Sequence, residues 1–165
     1  MSKDIQNKIL FQQVVALLQN ARQQVLRTVN STMTYTYFEI GRMIVDEEQN
    51  GKERAAYGKQ VLKGLSEQLT NEFGKGFSLV NLENIRKFYL VYSTSSSLIR
   101  ILDIVNTSVQ IPQSVTEKFE KTKMQSLISF FKLTWTHYTF LMRIDDEKER
   151  SFYEIESEKY NWSVN

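Results

Sequence analysis

The chain has 165 residues with 41% apolar, 24% charged and 12% aromatic side chains, six glycines and one proline, which excludes a wholly disordered, collagen-like or low-complexity protein. It contains no cysteine, so disulfide scaffolds, thiol nucleophiles and cysteine-ligated zinc or iron–sulfur centres are excluded too. The net charge of +2 is uneven, +4 over residues 1 to 100 and −2 over residues 101 to 165, and any polyanion-binding surface is expected in the first part.

No run of eighteen apolar residues is present, and Met1 to Leu10 lacks the apolar stretch of a secretory signal; a cytoplasmic protein with no membrane partner is expected. From Ile5 to Val29, Phe11, Val14, Leu18, Ala21, Val25 and Val29 recur every three or four residues, the period of one helix face. A second helical stretch, Tyr35 to Glu48, ends on Asp46-Glu47-Glu48 before the turn signal Asn50-Gly51. The weak break at Asn30-Ser31-Thr32 leaves two readings open, one bent helix or an αα-hairpin. Tyr57 to Glu72 repeats the helical spacing with Leu62, Leu65, Leu69 and Phe73 on one side, and Phe73-Gly74-Lys75-Gly76-Phe77 marks a tight turn. Ser78 is the expected N-cap of a helix through Tyr92. Wound at about 100° per residue, this helix gathers Leu82, Ile85, Phe88, Tyr89 and Tyr92 on its apolar side and Leu79, Val80, Glu83, Asn84, Arg86 and Lys87 on the other.

Ser93 to Ser97 reads as a linker. Leu98 to Ile111, rich in Ile and Val with a turn signal at Asn106-Thr107-Ser108, reads as a small β-hairpin, the wing of a winged motif. Pro112 punctuates, Ser114-x-x-Glu117 has the form of a capping box for a helix to Lys132, and short helices are expected at Thr136–Met142 and Asp146–Tyr160. The predicted class is mainly α: an N-terminal lobe over 1–92, a linker or hairpin over 93–112, and supporting C-terminal helices over 113–165.

Catalytic chemistry finds little footing. His137 is the sole histidine and lies among aromatics in Trp135-Thr136-His137-Tyr138, where a packing or capping role is expected. Gly74-Lys75-Gly76 is neither a dinucleotide nor a Walker fingerprint. A metal-dependent nuclease of the PD-(D/E)xK type needs an upstream acid and an acid-x-lysine triplet on neighbouring strands. Only Asp146-Glu147-Lys148 has that triplet, at the start of a polar helix, with no acid between Lys121 and Asp145. The run Asp145 to Glu149 is expected to be a solvated helix start, and Tyr35, Tyr37 and Phe38 are expected in the core. Neither metal nor cofactor is expected. Helix, glycine-containing turn, helix over Tyr57 to Tyr92 fits helix-turn-helix logic, although on spacing alone an αα-corner of a helical domain is the better reading. Lys59, Lys63, Lys75, Arg86 and Lys87 against Glu67, Glu72 and Glu83 make the turn modestly positive.

Several stretches are similar to a bacterial family, the YhcG-type N-terminal domain. They are Tyr35-Thr-Tyr-Phe-Glu-Ile-Gly-Arg-Met-Ile, Tyr57-Gly-Lys-Gln-Val-Leu, Leu69-Thr-Asn-Glu-Phe-Gly-Lys-Gly-Phe-Ser-Leu-Val-Asn-Leu, Ile85-Arg-Lys-Phe-Tyr, Leu133-Thr-Trp-Thr-His-Tyr, Arg150-Ser-Phe-Tyr and Trp162-Ser-Val. What the resemblance implies is a helical module that in full-length members precedes a PD-(D/E)xK nuclease domain, near restriction–modification and other mobile-DNA systems. The chain stops at Asn165, where the family continues, so the nuclease activity does not carry over: this is either a shortened gene product or the N-terminal module alone. The layout Phe73-Gly-Lys-Gly-Phe-Ser with Asn81, then Leu133-Thr-Trp-Thr-His with Leu141, Asp145 and Trp162-Ser-Val, also resembles the DNA-binding region of ParB-like partition proteins. That likeness implies a helix-turn-helix with Ser78 to Tyr92 as recognition helix.

The expected function is a non-catalytic module for double-stranded DNA. Lys75 and Lys87 would contact phosphate, Ser78 and the turn amides would add neutral phosphate bonds, and Asn84 and Arg86 would face base edges. Asn81 lies towards the apolar arc, where it would brace the turn or join the site. The alternative is a protein-interaction module in which the helix from Ile5 to Val29 pairs with itself, as a homodimer, or with a nuclease or modification-system protein.

Overall fold

The computed structural model describes residues 2–50, 54–107 and 116–164, and among them the fold is helical without a strand. Helix α1 spans Ser2–Asn50, α2 Arg54–Phe73, α3 Leu79–Tyr92, α4 Ser96–Thr107, α5 Thr116–Phe130, α6 Trp135–Leu141 and α7 Glu147–Tyr160, with a 3-10 turn at Lys75–Phe77 between α2 and α3. No described helix is long and apolar enough to cross a membrane.

The first two predicted stretches form one helix of 49 residues. Asn30-Ser31-Thr32 contains neither glycine nor proline, so nothing interrupts the backbone ladder there. Thr28 Oγ1 donates to the Gln24 carbonyl at 2.9 Å and Thr36 Oγ1 to the Thr32 carbonyl at 2.8 Å, folding both hydroxyls back on the helix.

Helix α3 is the central element. Its first half gives Leu82 and Ile85 to a small core with Ile44 of α1 and Leu62 of α2. Its second half gives Phe88 and Tyr92 to a larger core with Phe38, Leu98, Leu127, Phe131, Leu133, Tyr138, Leu141 and Met142. Trp135 packs against both. The larger core is an aromatic stack: the Phe88 ring lies 5.3 Å from Phe131, 5.2 Å from Tyr138 and 4.9 Å from Tyr92, tilted in each case.

The α1–α3 crossing is set by Gly41. A Cβ there would stand 2.5 Å from the Ile85 carbonyl oxygen and 2.7 Å from Tyr89 Cβ, inside van der Waals contact. Only a residue without a side chain lets the two backbones approach this closely.

The expected hairpin near 98–111 is corrected. Residues 98–107 belong to α4, while 108–111 and Ser114 lie outside the described residues. The Ile/Val content that favours a strand is overridden by period: Leu98, Ile101, Leu102 and Val105 are spaced i, i+3, i+4, i+7, one helix face. The serine run is not a linker. Ser95 is buried and its Oγ accepts from Leu98 N at 3.3 Å, and Ser96 N donates to Glu147 at 2.6 Å, so α4 is capped from within and from α7.

Gly41→Ala is expected to destabilise the fold by about 1–3 kcal/mol, because the added methyl must push two packed backbones apart. Urea denaturation would measure it; a loss below about 0.5 kcal/mol would show that the crossing does not depend on the missing side chain.

Candidate nucleic-acid interface

The segment between α2 and α3 is built by a few short-range constraints. Gly74 ends α2 with φ 87°, a conformation that disfavours side chains, and its amide donates to the Thr70 carbonyl at 3.0 Å. The chain then makes its 3-10 turn and delivers Ser78 as N-cap, whose Oγ accepts from Asn81 N at 3.3 Å. The Phe77 carbonyl receives Ser66 Oγ at 3.0 Å and Thr70 Oγ1 at 3.4 Å, which fastens the turn to α2. Phe77 packs edge-on against Phe73 at 6.0 Å and Tyr37 at 6.5 Å, and Tyr37 meets Trp135 at 4.9 Å.

Asn81 holds this assembly. Its Nδ2 donates to the Gly76 carbonyl at 2.6 Å, and its Oδ1 accepts from Trp135 Nε1 at 3.0 Å. One side chain thereby ties the turn, α3 and α6 together. Arg86 is also engaged: its Nε lies 2.6 Å from Glu48 Oε2, an ion pair between α3 and α1 with the carboxylate 13% exposed. The pairing partner is 38 residues away in sequence, and no local pattern announces it.

Because Leu82, Ile85, Phe88 and Tyr92 point inward, the opposite side of α3 is left to solvent as Val80, Glu83, Lys87 and Leu90. Lys75 and Ser78 are exposed at its amino end, and Asn84 and Arg86 are half-buried beside the stripe. Lys75, Lys87, Lys59 and Lys63 have no ion-pair partner among the described residues. Val80, 65% exposed, and Glu83 are surface residues to which the sequence pattern assigns no role; their only signal is position on the outer side of the helix wheel.

The remaining polar clusters have structural tasks. His137 Nδ1 shares a hydrogen bond with Thr134 Oγ1 at 2.6 Å and Nε2 one with the Trp162 carbonyl at 2.8 Å, pinning the C-terminal segment to α6. Asp146 caps α7, accepting from Glu149 N at 2.8 Å. Among the described residues no group of His, Asp and Glu could hold a metal ion.

A cleft of about 600 Å³ opens between α4, α5 and α7, lined by Tyr92, Ser126, Phe130, Leu133, Arg150 and Glu154 among others. At its inner end Glu154 accepts from Tyr138 Oη at 3.0 Å and Tyr92 Oη at 3.5 Å. Arg150 donates to the Ile144 carbonyl at 2.8 Å and stands 5.5 Å from the Tyr92 ring centre. Burial raises the Glu154 carboxyl above its ordinary 4.5, opposed by the two tyrosine bonds and the Arg150 charge. Burial also pushes both tyrosine hydroxyls up, so they remain proton donors.

A helical module with a clamped turn and a solvent-facing stripe on α3 is the class of protein that this geometry defines. The family model for the DUF1016 N-terminal domain matches residues 13–165, and the chain belongs to that family. It is 38% identical over 153 residues to an Escherichia coli K12 protein named "Putative nuclease YhcG", an alignment that covers 92% of this chain and 40% of that one. The chain therefore spans well under half the length of that relative. No solved structure matches it.

The raised Glu154 carboxyl gives a pH dependence of definite sign. The fold binds this proton more tightly than the unfolded chain does. The residue's contribution to stability is thus full below about 4.5 and is lost as pH rises through the raised folded value. The stability of the natural chain relative to Glu154→Gln should accordingly improve as pH falls from about 7.5 to about 5. Urea melts of both at the two pH values check this, and a constant or reversed difference would contradict it.

Proposed function

We propose that this chain is a non-catalytic, double-stranded-DNA-binding module that directs an associated nuclease to DNA, with the turn and the outward stripe of α3 as its binding surface. The observation that carries the reading is the pair of uncommitted cations, Lys75 in the turn before α3 and Lys87 on its outward stripe, beside a helix whose inner side is engaged by the fold. Lys75 and Lys87 contact phosphates, and Ser78, whose hydroxyl proton is not used in capping, adds a neutral bond beside the open amides of the first turn of α3. Asn84 reaches a base edge. Val80 offers an apolar contact to a thymine methyl and Glu83 an acceptor for a cytosine amino group. Asn81 and Arg86 belong to the surface as positioning residues, because their side chains are bonded to Gly76, Trp135 and Glu48.

The family supports the partner class. The relative's name describes a nuclease, and the region shared with it is a helical segment covering 40% of that protein. A targeting role fits a helical module joined to separate catalytic machinery.

Fluorescence anisotropy with labelled duplex DNA at about 50 and 200 mM salt tests the reading. The natural chain should lose about tenfold or more in affinity across that range, and Lys75→Ala/Lys87→Ala should reduce the slope of log K against log salt by roughly 0.9 for each phosphate that is no longer neutralised. No binding at about 10 μM chain in the lower salt, or equal binding by the double variant, would overturn it.

A further inference from the structure

The amino-terminal half of α1 is a helix without a body beside it. Every residue from Gln6 to Val29 is exposed except Val15, which is half-buried. Phe11 is 68% exposed, Val14 45%, Leu18 55% and Val25 63%. Packing on the rest of the molecule begins near Thr34, which is fully buried and whose hydroxyl donates to the Leu133 carbonyl.

Two features identify what fits this face. The first is spacing: Phe11, Val14, Leu18, Ala21, Val25, Thr28 and Thr32 alternate steps of three and four over three heptads, the repeat of a helix-on-helix seam. At about 100° per residue that seam lies roughly opposite Thr34, Phe38, Gly41 and Val45, which face the molecule's own core. Another helix can therefore lie along it without meeting the body.

The second is self-complementarity. Set antiparallel with a second copy so that Leu18 meets the partner's Ala21, the seam also places Val14 against the partner's Val25 and Phe11 against the partner's Thr28. Each layer joins a large residue to a small one, or two of middle size, as interdigitating layers require. Lys8 then falls beside the partner's Val29 and Arg22 beside the partner's Val15, so no two cations meet and their aliphatic stems cover valine. A parallel pair would stack Phe11 on Phe11 and leave Ala21 opposite Ala21, overfilling one layer and emptying another.

We infer that the chain forms a two-fold symmetric dimer through an antiparallel pairing of residues 7–32 of α1. The interface is isologous, and its symmetry axis passes between Leu18 and Ala21. The inference is independent of DNA binding.

Sedimentation velocity of the full chain should give twice 19.4 kDa at about 50 μM. Leu18→Asp, far from both cores, should weaken association at least about a hundredfold and yield monomer at that concentration, with the near-UV circular dichroism of the body unchanged. The chain has no cysteine, so Val14→Cys and Val25→Cys report orientation directly: an oxidised mixture of the two should cross-link, and Val14→Cys alone should not. Monomer at about 50 μM, a larger assembly, indifference to Leu18→Asp, or cross-linking of Val14→Cys to itself would each overturn the inference; the first would assign the face to a different protein.

Discussion

The close crossing of α1 over α3 at Gly41 is the constraint from which the rest of the structure follows. The close approach of Gly41 to the Ile85 backbone and the Tyr89 Cβ, which leaves no room for a side chain at position 41, sets both the height and the rotation of α3. Once that is fixed, Leu82 and Ile85 must fill the space beside Ile44 and Leu62, and Phe88 and Tyr92 the space among Phe38, Phe131 and Tyr138. The two cores meet at Trp135, so α6 is positioned by the same crossing. A side chain at position 41 would disturb both ends of the molecule at once.

The exposed surface of α3 is what these inward commitments leave over. By residue type alone Asn81 and Arg86 are free polar groups, yet one is bonded at both ends of its amide and the other is drawn to Glu48. Their partners are worth more to the fold than to a ligand, because each polar group removed from water needs a replacement bond. What remains uncommitted is narrow, one residue per turn along α3, flanked by lysines.

Much of the local structure was legible. Ser78 as N-cap, the inward set of α3, Asp146 at the head of α7 and the tasks of His137 and Tyr37 follow from capping chemistry and helical period. The DUF1016 N-terminal family also accords with the motifs that carried the resemblance. The miss at 98–107 had a physical reason: isoleucine and valine favour strands locally, and the period that identifies a helix was the quieter signal. The Glu48–Arg86 and Asn81–Trp135 bonds were out of reach, since each joins residues dozens of positions apart that only tertiary packing brings together. Within the candidate interface the sequence supplied the cations and the turn, whereas the engagement of Asn81 and Arg86 became visible only with α1 and α6 in place.

The unbroken continuity of α1 has a further consequence. Starting a helix in water is the unfavourable step, and extending one is nearly neutral. In this chain the segment from Thr34 to Val45 is held helical by its burial, so it serves as a ready nucleus from which the exposed half grows towards the amino terminus. The exposed half is therefore shaped before any contact is made. Whatever docks on it meets a segment already biased towards helix and has less chain entropy to remove, because the nucleation cost has been met by the folding of a core about 40 Å from the helix tip.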